Sequence, residues 1–176
     1  KFSGSFFYLG HIRKDKGIEF LVEAFKDKRL SSFKLDIYGP IWGQLEKKDI
    51  LNEEIFKDIS NINYYGPVLP DKVNEIIASH DALIFPTISP AEGYPGTVIE
   101  SLMIGTPVLA SRWLYLPEIL NQNNSILFRP FSKSSIIKAV QKYSKSKKIQ
   151  EKLSKGCLFS AKTLFSLDKQ SNILLN

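Results

Sequence analysis

The sequence predicts an α/β fold of the Rossmann-like, doubly wound type, in which helices cover both faces of one parallel sheet. Two observations carry this prediction: short apolar runs alternate with helical periodicities along the chain, and most of the runs are apolar at every position. Strands that alternate with helices form parallel sheets, and a strand buried on both faces is continuously apolar. With 43% hydrophobic content, the chain can bury such a core as a single domain over residues 1–176.

The first part of the chain alternates strand, helix and strand. Residues 6–9 form an apolar run that stops at Gly10, which predicts a buried strand. Residues 18–25 carry apolar side chains at the i, i+3, i+4 and i+7 positions of an amphipathic helix. Residues 33–37 alternate apolar and polar side chains until Gly39, so a second strand is expected there.

The middle of the chain continues the alternation. We predict a helix over residues 45–59 and a third strand over residues 62–65, which ends at a Gly-Pro pair. Asp71 is placed to cap a helix that runs through Ile77. A fourth strand, which is continuously apolar, follows at residues 82–85.

The last part of the chain supplies the remaining strands and helices. A predicted helix over residues 98–103 leads through a Gly-Thr-Pro turn into a strand at residues 108–110. A short strand at residues 126–128 precedes polar helices that continue to about Phe165. Residues 166–176 are poorly patterned and are expected to form an irregular tail.

The composition argues against several kinds of site. The one cysteine, Cys157, cannot form an internal disulfide framework and is expected to pack as a small apolar residue. The two histidines have no cysteine or carboxylate cluster at metal-ligand spacing, so no metal site is expected. The net charge of +6 suits anionic partners, but lysines late in the chain alternate with apolar residues as on solvated helix faces.

The stretch from Glu92 to Glu100 carries the most chemical information. Seven residues separate the two carboxylates, and a glycine-containing turn lies between them at the start of a helix. Such a turn directs backbone N–H groups towards an anion, and carboxylates accept hydrogen bonds from hydroxyl groups. A ligand with both phosphate and hydroxyl groups fits this arrangement, and a sugar nucleotide is such a ligand.

A second candidate segment is the loop 10–17, which holds three cations between two glycines and opens a helix. Glycines permit close approach to a diphosphate, which cations and a helix N-terminus attract. Taken alone, the loop fits a solvated turn equally well, because its spacing is neither a dinucleotide fingerprint nor a P-loop. Ligands of doubly wound sheets bind beyond the carboxyl ends of the strands. Five loops are expected at that edge: residues 10–17, 39–43, 66–70, 86–96 and 111–117.

Five motifs follow one another along the chain and together resemble a known family. They are Leu9-Gly10-x5-Lys16-Gly17, Ile37-Tyr38-Gly39-Pro40, Tyr65-Gly66-Pro67-Val68, Glu92-Gly93-x6-Glu100 and Gly105-Thr106-Pro107-Val108. This order resembles the donor-binding, C-terminal half of the family 4 retaining glycosyltransferases (glycosyl transferases group 1), which have the GT-B fold. The likeness extends over nearly the whole chain, and the segment with the two glutamates is its specific part.

The resemblance implies roles at the diphosphate and the transferred sugar. Lys16 matches the lysine that contacts the donor diphosphate. Glu92 matches the glutamate beside the transferred sugar and is the expected catalytic residue. Gly96, Thr97 and Val98 match the turn whose backbone N–H groups meet the diphosphate and the sugar.

The resemblance also assigns the nucleoside end of the site. Glu100 matches the glutamate that binds the ribose, and Val68 matches the position whose backbone meets the base. One departure concerns the second diphosphate contact, because His11 stands where the family has arginine. Arg13 could reach across the turn instead, and the sequence leaves this choice open.

The implied reaction is transfer of a sugar from a nucleotide-diphosphate donor, with a UDP-sugar expected, to an acceptor hydroxyl with retention at the anomeric carbon. No metal or other cofactor is expected. The family also has an N-terminal acceptor domain, which this chain lacks, so we expect the chain to bind nucleotide but to have little transferase activity alone. The Lys-, Asn- and Ile-rich composition is typical of an AT-rich bacterial gene.

By analogy with many relatives, the expected acceptor is a lipid-linked glycan of a surface polysaccharide such as O-antigen or capsule. The full-length protein would then work in the cytoplasm at the membrane face, as a peripheral protein without a nucleic-acid partner. Two alternatives stay open. One is another GT-B enzyme, such as a sugar-nucleotide epimerase or a phosphorylase, and the other is a non-catalytic module that binds nucleotides or nucleic acid.

Overall fold

The computed structural model describes residues 2–41 and 51–165. Six strands form one sheet, in which every neighbouring pair is parallel and the order is β3-β2-β1-β4-β5-β6. The chain therefore winds outwards from β1 in one direction and from β4 in the other. The strands are β1 (Ser5–Leu9), β2 (Lys34–Tyr38), β3 (Ile62–Gly66), β4 (Ala82–Phe85), β5 (Val108–Ser111) and β6 (Ser125–Phe128).

Helices cover both faces of this sheet. Because successive strand residues point to opposite faces, the structure has two apolar cores. One apolar core contains Phe6 of β1 with residues of α1 and α5, and the other contains Phe7 with residues of α2 and α3. The helices are α1 (Ile18–Phe25), α2 (Val73–Ser79), α3 (Gly96–Ile104), α4 (Leu116–Ile119), α5 (Lys133–Ser144) and α6 (Lys147–Leu164). The predicted doubly wound fold and all six predicted strands are confirmed.

Two local predictions are wrong. The expected helix over residues 45–59 is only a short 3-10 turn, Glu53–Phe56, in its described part, and residues 45–50 lie outside the described residues. The Asn52 side chain accepts a hydrogen bond from the Glu54 N–H at 3.0 Å, and Asp58 has a φ of 57°. A side chain that binds its own backbone and a residue in the left-handed region both favour a turn over a helix.

The predicted cap at Asp71 is also wrong. Asp71 lies inside a 3-10 turn, Pro70–Lys72, and α2 begins after it at Val73 without a side-chain cap. Proline at the first position of the turn favours this tighter start, because its φ is already set. The predicted tail, residues 166–176, lies outside the described residues.

Two predictions about side chains are confirmed. Cys157 is fully buried in α6, and burial raises the pKa of its thiol to about 12. The lysines of α5 and α6 lie on exposed faces, as their spacing predicts. They are Lys133, Lys138, Lys142, Lys147, Lys148, Lys152, Lys155 and Lys162.

Two glycines let the loops at the carboxyl edge of the sheet touch. Gly17 has a φ of 72°, and a Cβ there would lie 2.1 Å from the Pro86 carbonyl oxygen. Gly39 has a φ of 127°, and its Cβ would lie 1.9 Å from the Gly10 carbonyl oxygen. Only glycine fits either position, so the loop after β1 packs directly against the loops after β4 and β2.

Candidate functional site

The candidate site lies at the carboxyl ends of β1 and β4, where the winding direction of the sheet switches. The Ile88 N–H donates to the Asp15 carbonyl oxygen at 2.9 Å, which adds a hydrogen bond to the contact between Gly17 and Pro86. The loop after β1 and the loop after β4 thus form one wall. This edge is where doubly wound sheets bind ligands.

Lys16 and Glu92, which are 76 residues apart in the sequence, form an ion pair in this wall. The Lys16 Nζ lies 2.9 Å from the Glu92 Oε2, and the side chains are 19% and 8% exposed. A carboxylate with so little access to water requires a partner. The structure therefore brings together the two residues that the sequence assigns to the diphosphate and the transferred sugar.

Glu92 has a second partner that the sequence did not reveal. The Thr87 hydroxyl donates a hydrogen bond to the same carboxylate oxygen, and Thr87 is 1% exposed. The Ser111 hydroxyl donates to the Thr87 carbonyl oxygen, and the Trp113 indole donates to the Ser89 carbonyl oxygen at 2.7 Å. The loop after β5 thus fixes the loop that carries Glu92. The one available signal was the position of Thr87 in a predicted ligand loop.

The start of α3 supplies backbone donors next to this pair. Pro95 occupies the N-cap position, and its carbonyl oxygen accepts from the Val98 N–H at 3.1 Å. The N–H groups of Gly96 and Thr97 have no acceptor among the described residues. The Thr97 hydroxyl donates to the Leu9 carbonyl oxygen at 3.2 Å, which ties α3 to the end of β1. Two of the three predicted backbone groups are therefore available to an anion.

Glu100 lies one turn further along α3, on the same face as Gly96. It is half-buried, and within the described part of the chain no group donates a hydrogen bond to its carboxylate. Residues four apart on a helix are neighbours on its surface. The carboxylate is thus open to a ligand that extends along α3 from the free N–H groups.

The two candidates for the second diphosphate contact lie on the loop after β1. Arg13 forms a two-pronged ion pair with Asp15, with Nε–Oδ1 at 2.8 Å and Nη2–Oδ2 at 2.9 Å. His11 is exposed, and its carbonyl oxygen accepts from the Tyr8 hydroxyl at 2.7 Å. Burial, followed by the charge of Glu92, raises the pKa of this tyrosine above its usual range. Tyr8 therefore remains a neutral donor that supports the loop.

Val68 lies on a third loop, after β3. It is half-buried against the core that contains α2 and α3. The chain turns at Gly66, which has a φ of 73°, and the Gly39 N–H donates to the Gly66 carbonyl oxygen at 2.7 Å. The loops after β2 and β3 are thus joined at the same edge of the sheet.

Within residues 2–41 and 51–165, no group of three or more histidine, cysteine, aspartate or glutamate side chains is placed to hold a metal ion. Among the helices described, none has the length and apolar character needed to cross a membrane.

Comparison with solved structures shows the fold. HepE from Anabaena in complex with UDP superposes with a TM-score of 0.84 at 13% identity, covering 98% of this chain and 48% of that chain. The C-terminal domain of LpcC, a glycosyl transferase group 1 family protein from Francisella tularensis, gives 0.77 at 19% identity and covers 93% of this chain and 86% of that chain. The predicted fold, one half of a GT-B fold, is confirmed.

Sequence comparison identifies the family. A curated relative, an uncharacterized 41.2 kDa protein in the cps region of Klebsiella pneumoniae, is 27% identical over 114 residues, or 65% of this chain and 29% of that protein. This chain thus spans less than half the length of HepE and of the Klebsiella protein. The family model described as Glycosyl transferases group 1 matches residues 4–156. Because that match extends over most of the sequence, the chain belongs to the glycosyl transferases group 1 family.

Proposed function

We propose that this chain is the donor-binding domain of a family 4 retaining glycosyltransferase. In the longer protein, it would hold a nucleotide-diphosphate sugar for transfer to an acceptor hydroxyl. The observation that carries the proposal is the Lys16–Glu92 pair beside the free N–H groups of Gly96 and Thr97, at the switch point of the sheet. Family membership supports the transferase class. UDP in the HepE structure supports a UDP-sugar as donor.

Charge stabilisation is the first task of such a site. The leaving nucleoside diphosphate gains negative charge as the bond to the sugar breaks, and preorganised donors stabilise it. Lys16 carries three N–H donors, so it can keep its bond to Glu92 and still bind a phosphate oxygen. The N-terminus of α3 adds a positive potential. We propose that these groups act without a metal ion or another cofactor.

Glu92 and Glu100 have different roles in this proposal. Glu92, held by Lys16 and Thr87, faces the transferred sugar, where its carboxylate accepts hydroxyl hydrogen bonds and stabilises positive charge that develops at the anomeric carbon. The leaving diphosphate takes the proton of the acceptor hydroxyl, as the family resemblance implies. Glu100 accepts hydrogen bonds from two ribose hydroxyls, and the backbone at Val68 meets the base.

The second diphosphate contact is proposed to be Arg13, with His11 as an additional donor on the same loop. Arg13 would have to exchange Asp15 for a phosphate group. The pair is exposed, with the Arg13 side chain 43% accessible, so breaking it costs roughly 0–1 kcal/mol. A phosphate offers arginine the same two-pronged geometry as a carboxylate.

The acceptor proposal depends on one relative. The Klebsiella relative is encoded in a cps region. On that basis we propose a glycan acceptor in surface polysaccharide synthesis, such as capsule or O-antigen, carried on a lipid. An N-terminal acceptor domain would bind it at the cytoplasmic face of the membrane, with the longer protein associated peripherally.

Calorimetric titration of this chain with UDP, GDP, UDP-glucose and GDP-mannose tests the donor proposal. We expect the uridine ligands to bind, and we expect Mg²⁺ to leave the affinity unchanged. Glu100→Ala should weaken UDP binding about tenfold, because hydrogen bonds to a charged acceptor are lost. Glu151→Ala, which removes an exposed glutamate of α6, is the matched control. Binding that requires Mg²⁺ would contradict the metal-free mechanism, and no binding by any nucleotide would refute the donor domain.

A further inference from the structure

The loop after β5 presents exposed apolar side chains that the donor site does not use. Leu114 is 48% exposed and Tyr115 is 54% exposed. Tyr94, two residues after Glu92, is 53% exposed and lies beside them. Exposed apolar side chains that cluster together indicate a contact surface. We call Tyr94, Leu114, Tyr115 and Glu118 the tyrosine platform.

The two rings of the platform are held relative to one another. The ring centroids of Tyr94 and Tyr115 are 6.3 Å apart with an interplanar angle of 68°, an edge-to-face arrangement. The Tyr94 hydroxyl donates a hydrogen bond to the Glu118 carboxylate in α4. The platform therefore joins the loop that carries Glu92 to the loop after β5.

The base of the platform is held by a hydrogen bond and a ring contact of Trp113. The Trp113 indole donates to the Ser89 carbonyl oxygen at 2.7 Å and packs edge-to-face on Phe131, with ring centroids 5.5 Å apart. Leu114, the next residue, has a φ of 40°. A branched side chain rarely adopts this left-handed conformation, which persists only where the surroundings hold it. The loop is thus held in a strained form that leaves Leu114 and Tyr115 exposed.

We propose that the tyrosine platform binds one saccharide ring of the acceptor, whose remainder the N-terminal acceptor domain would bind, an inference that rests on the proposed donor site. A sugar ring has a face of C–H groups that packs on the negative face of an aromatic ring, and a rim of hydroxyl groups. The rings of Tyr94 and Tyr115 would contact the C–H face of the sugar. The Glu118 carboxylate would accept hydrogen bonds from its hydroxyl groups. A platform of mixed apolar and carboxylate character suits a saccharide better than an apolar protein surface.

The position of the platform favours the acceptor over the donor sugar. Glu92, which faces the transferred sugar, is 8% exposed, whereas Tyr94 and Tyr115 are each more than half exposed. The platform therefore lies closer to solvent than the Glu92 carboxylate. An acceptor ring bound there would lie next to the sugar that it receives, which aligns the two reactants.

Saturation-transfer NMR with methyl glucoside, methyl galactoside and methyl mannoside tests this inference on the chain itself. We expect saturation to reach the ring C–H protons of at least one glycoside. Tyr115→Ala should weaken that binding about fivefold, the equivalent of one lost aromatic contact. Tyr115→Phe should retain it, because the ring remains. Phe159→Ala removes a side chain that is 70% exposed on α6 and serves as the control.

Circular dichroism and UDP affinity are measured on the same samples. Intact UDP binding with no saturation transfer, or with transfer unchanged in Tyr115→Ala, would overturn the platform and leave the donor proposal standing. If the unsubstituted chain does not bind UDP, the donor proposal is refuted instead. If Tyr115→Ala lowers the affinity for UDP-glucose but not for UDP, the platform binds the donor sugar. If Tyr115→Ala abolishes self-association in sedimentation, the occupant is protein. Either result would overturn the acceptor assignment.

Discussion

Glu92 has an ammonium group and a hydroxyl group as partners, and the side chains of all three residues have little access to water. The Lys16 Nζ lies 2.9 Å away, and the Thr87 hydroxyl binds the same oxygen. A carboxylate in such surroundings is costly unless both partners remain. The stability of this wall and the orientation of Glu92 therefore depend on the same two contacts, which can be separated by substitution.

Lys16→Met should destabilise the chain by about 2 kcal/mol, because it leaves the Glu92 carboxylate without its cation. Glu92→Gln in the same background should restore part of that loss, since the unpaired charge disappears. Urea unfolding of the four forms gives the coupling energy of the pair. Free energies that simply add would show that the two side chains do not interact in solution.

Thr87→Val keeps the shape of the side chain but removes the hydroxyl that orients Glu92. We expect a loss of about 1–2 kcal/mol in unfolding free energy. We also expect a lower affinity for UDP-glucose with an unchanged affinity for UDP, because Glu92 faces the sugar. Thr106→Val is the matched control, since Thr106 is also buried and donates to the Ile77 carbonyl oxygen at 3.1 Å. If both variants change the affinity for UDP-glucose relative to UDP equally, Thr87 has no specific role in orienting Glu92.

At the scale of elements, the site depends on how closely the loops at the carboxyl edge approach. The loop after β1 touches Pro86 through Gly17, and this contact positions Lys16, the preceding residue, against Glu92. Gly66 has almost the same backbone conformation, with a φ of 73°, but no atom lies within 4 Å of its potential Cβ. Substitutions at the two glycines can therefore distinguish the cost of backbone strain, present at both, from the cost of a steric clash, present only at Gly17.

Gly66→Ala should cost about 1 kcal/mol, the penalty for an L-residue in the left-handed region. Gly17→Ala should cost about 3 kcal/mol or more, because its Cβ must also displace the Pro86 carbonyl group. Thermal and urea unfolding of the two variants measure the difference. A Gly17 variant as stable as the Gly66 variant would show that the two loops separate without cost.

At the scale of the whole molecule, a buried ion pair links the end of α2 to β2. His80 Nδ1 lies 2.6 Å from the Ile76 carbonyl oxygen, and Nε2 lies 3.1 Å from Asp36 Oδ2. Both ring nitrogens face acceptors, an arrangement that favours the doubly protonated ring. Burial lowers the pKa of His80, but hydrogen bonds to Asp36 and Ile76 outweigh it and raise that pKa overall. For Asp36, burial raises the pKa, but hydrogen bonds from His80 and Asn63 outweigh burial and bring the pKa below its usual value.

The two shifts predict how stability depends on pH. The contribution of His80 is fully present below its unfolded pKa, about 6.5, and is lost as the pH rises through the raised folded value. The contribution of Asp36 is present above its unfolded pKa and is lost as the pH falls through the lowered folded value. The stability difference between the unsubstituted chain and His80→Gln should therefore shrink from about pH 6 to 8. Urea unfolding across that range measures it, and a difference that grows with pH would contradict the charged pair.

The alternation of strands and helices follows from the sequence alone, because apolar periodicity and Gly-Pro stops are local signals. The sequence also singles out Lys16, Glu92 and Glu100, because they stand in motifs with defined spacing. The incorrect prediction of a helix over residues 45–59 shows the limit of periodicity. Asn52 and Asp58 favour a turn through their local backbone conformations, which an apolar pattern does not reveal.

Contacts between these residues, in contrast, depend on the tertiary fold. The Lys16–Glu92 pair, the hydroxyl of Thr87 and the ring contact between Tyr94 and Tyr115 join different loops at one edge of the sheet. Such contacts depend on the order of the strands and on the close approach that Gly17 permits, and neither is encoded in the local pattern around any one residue. The charged groups of the site can therefore be identified from local sequence motifs, whereas packing between distant segments determines which partners orient them.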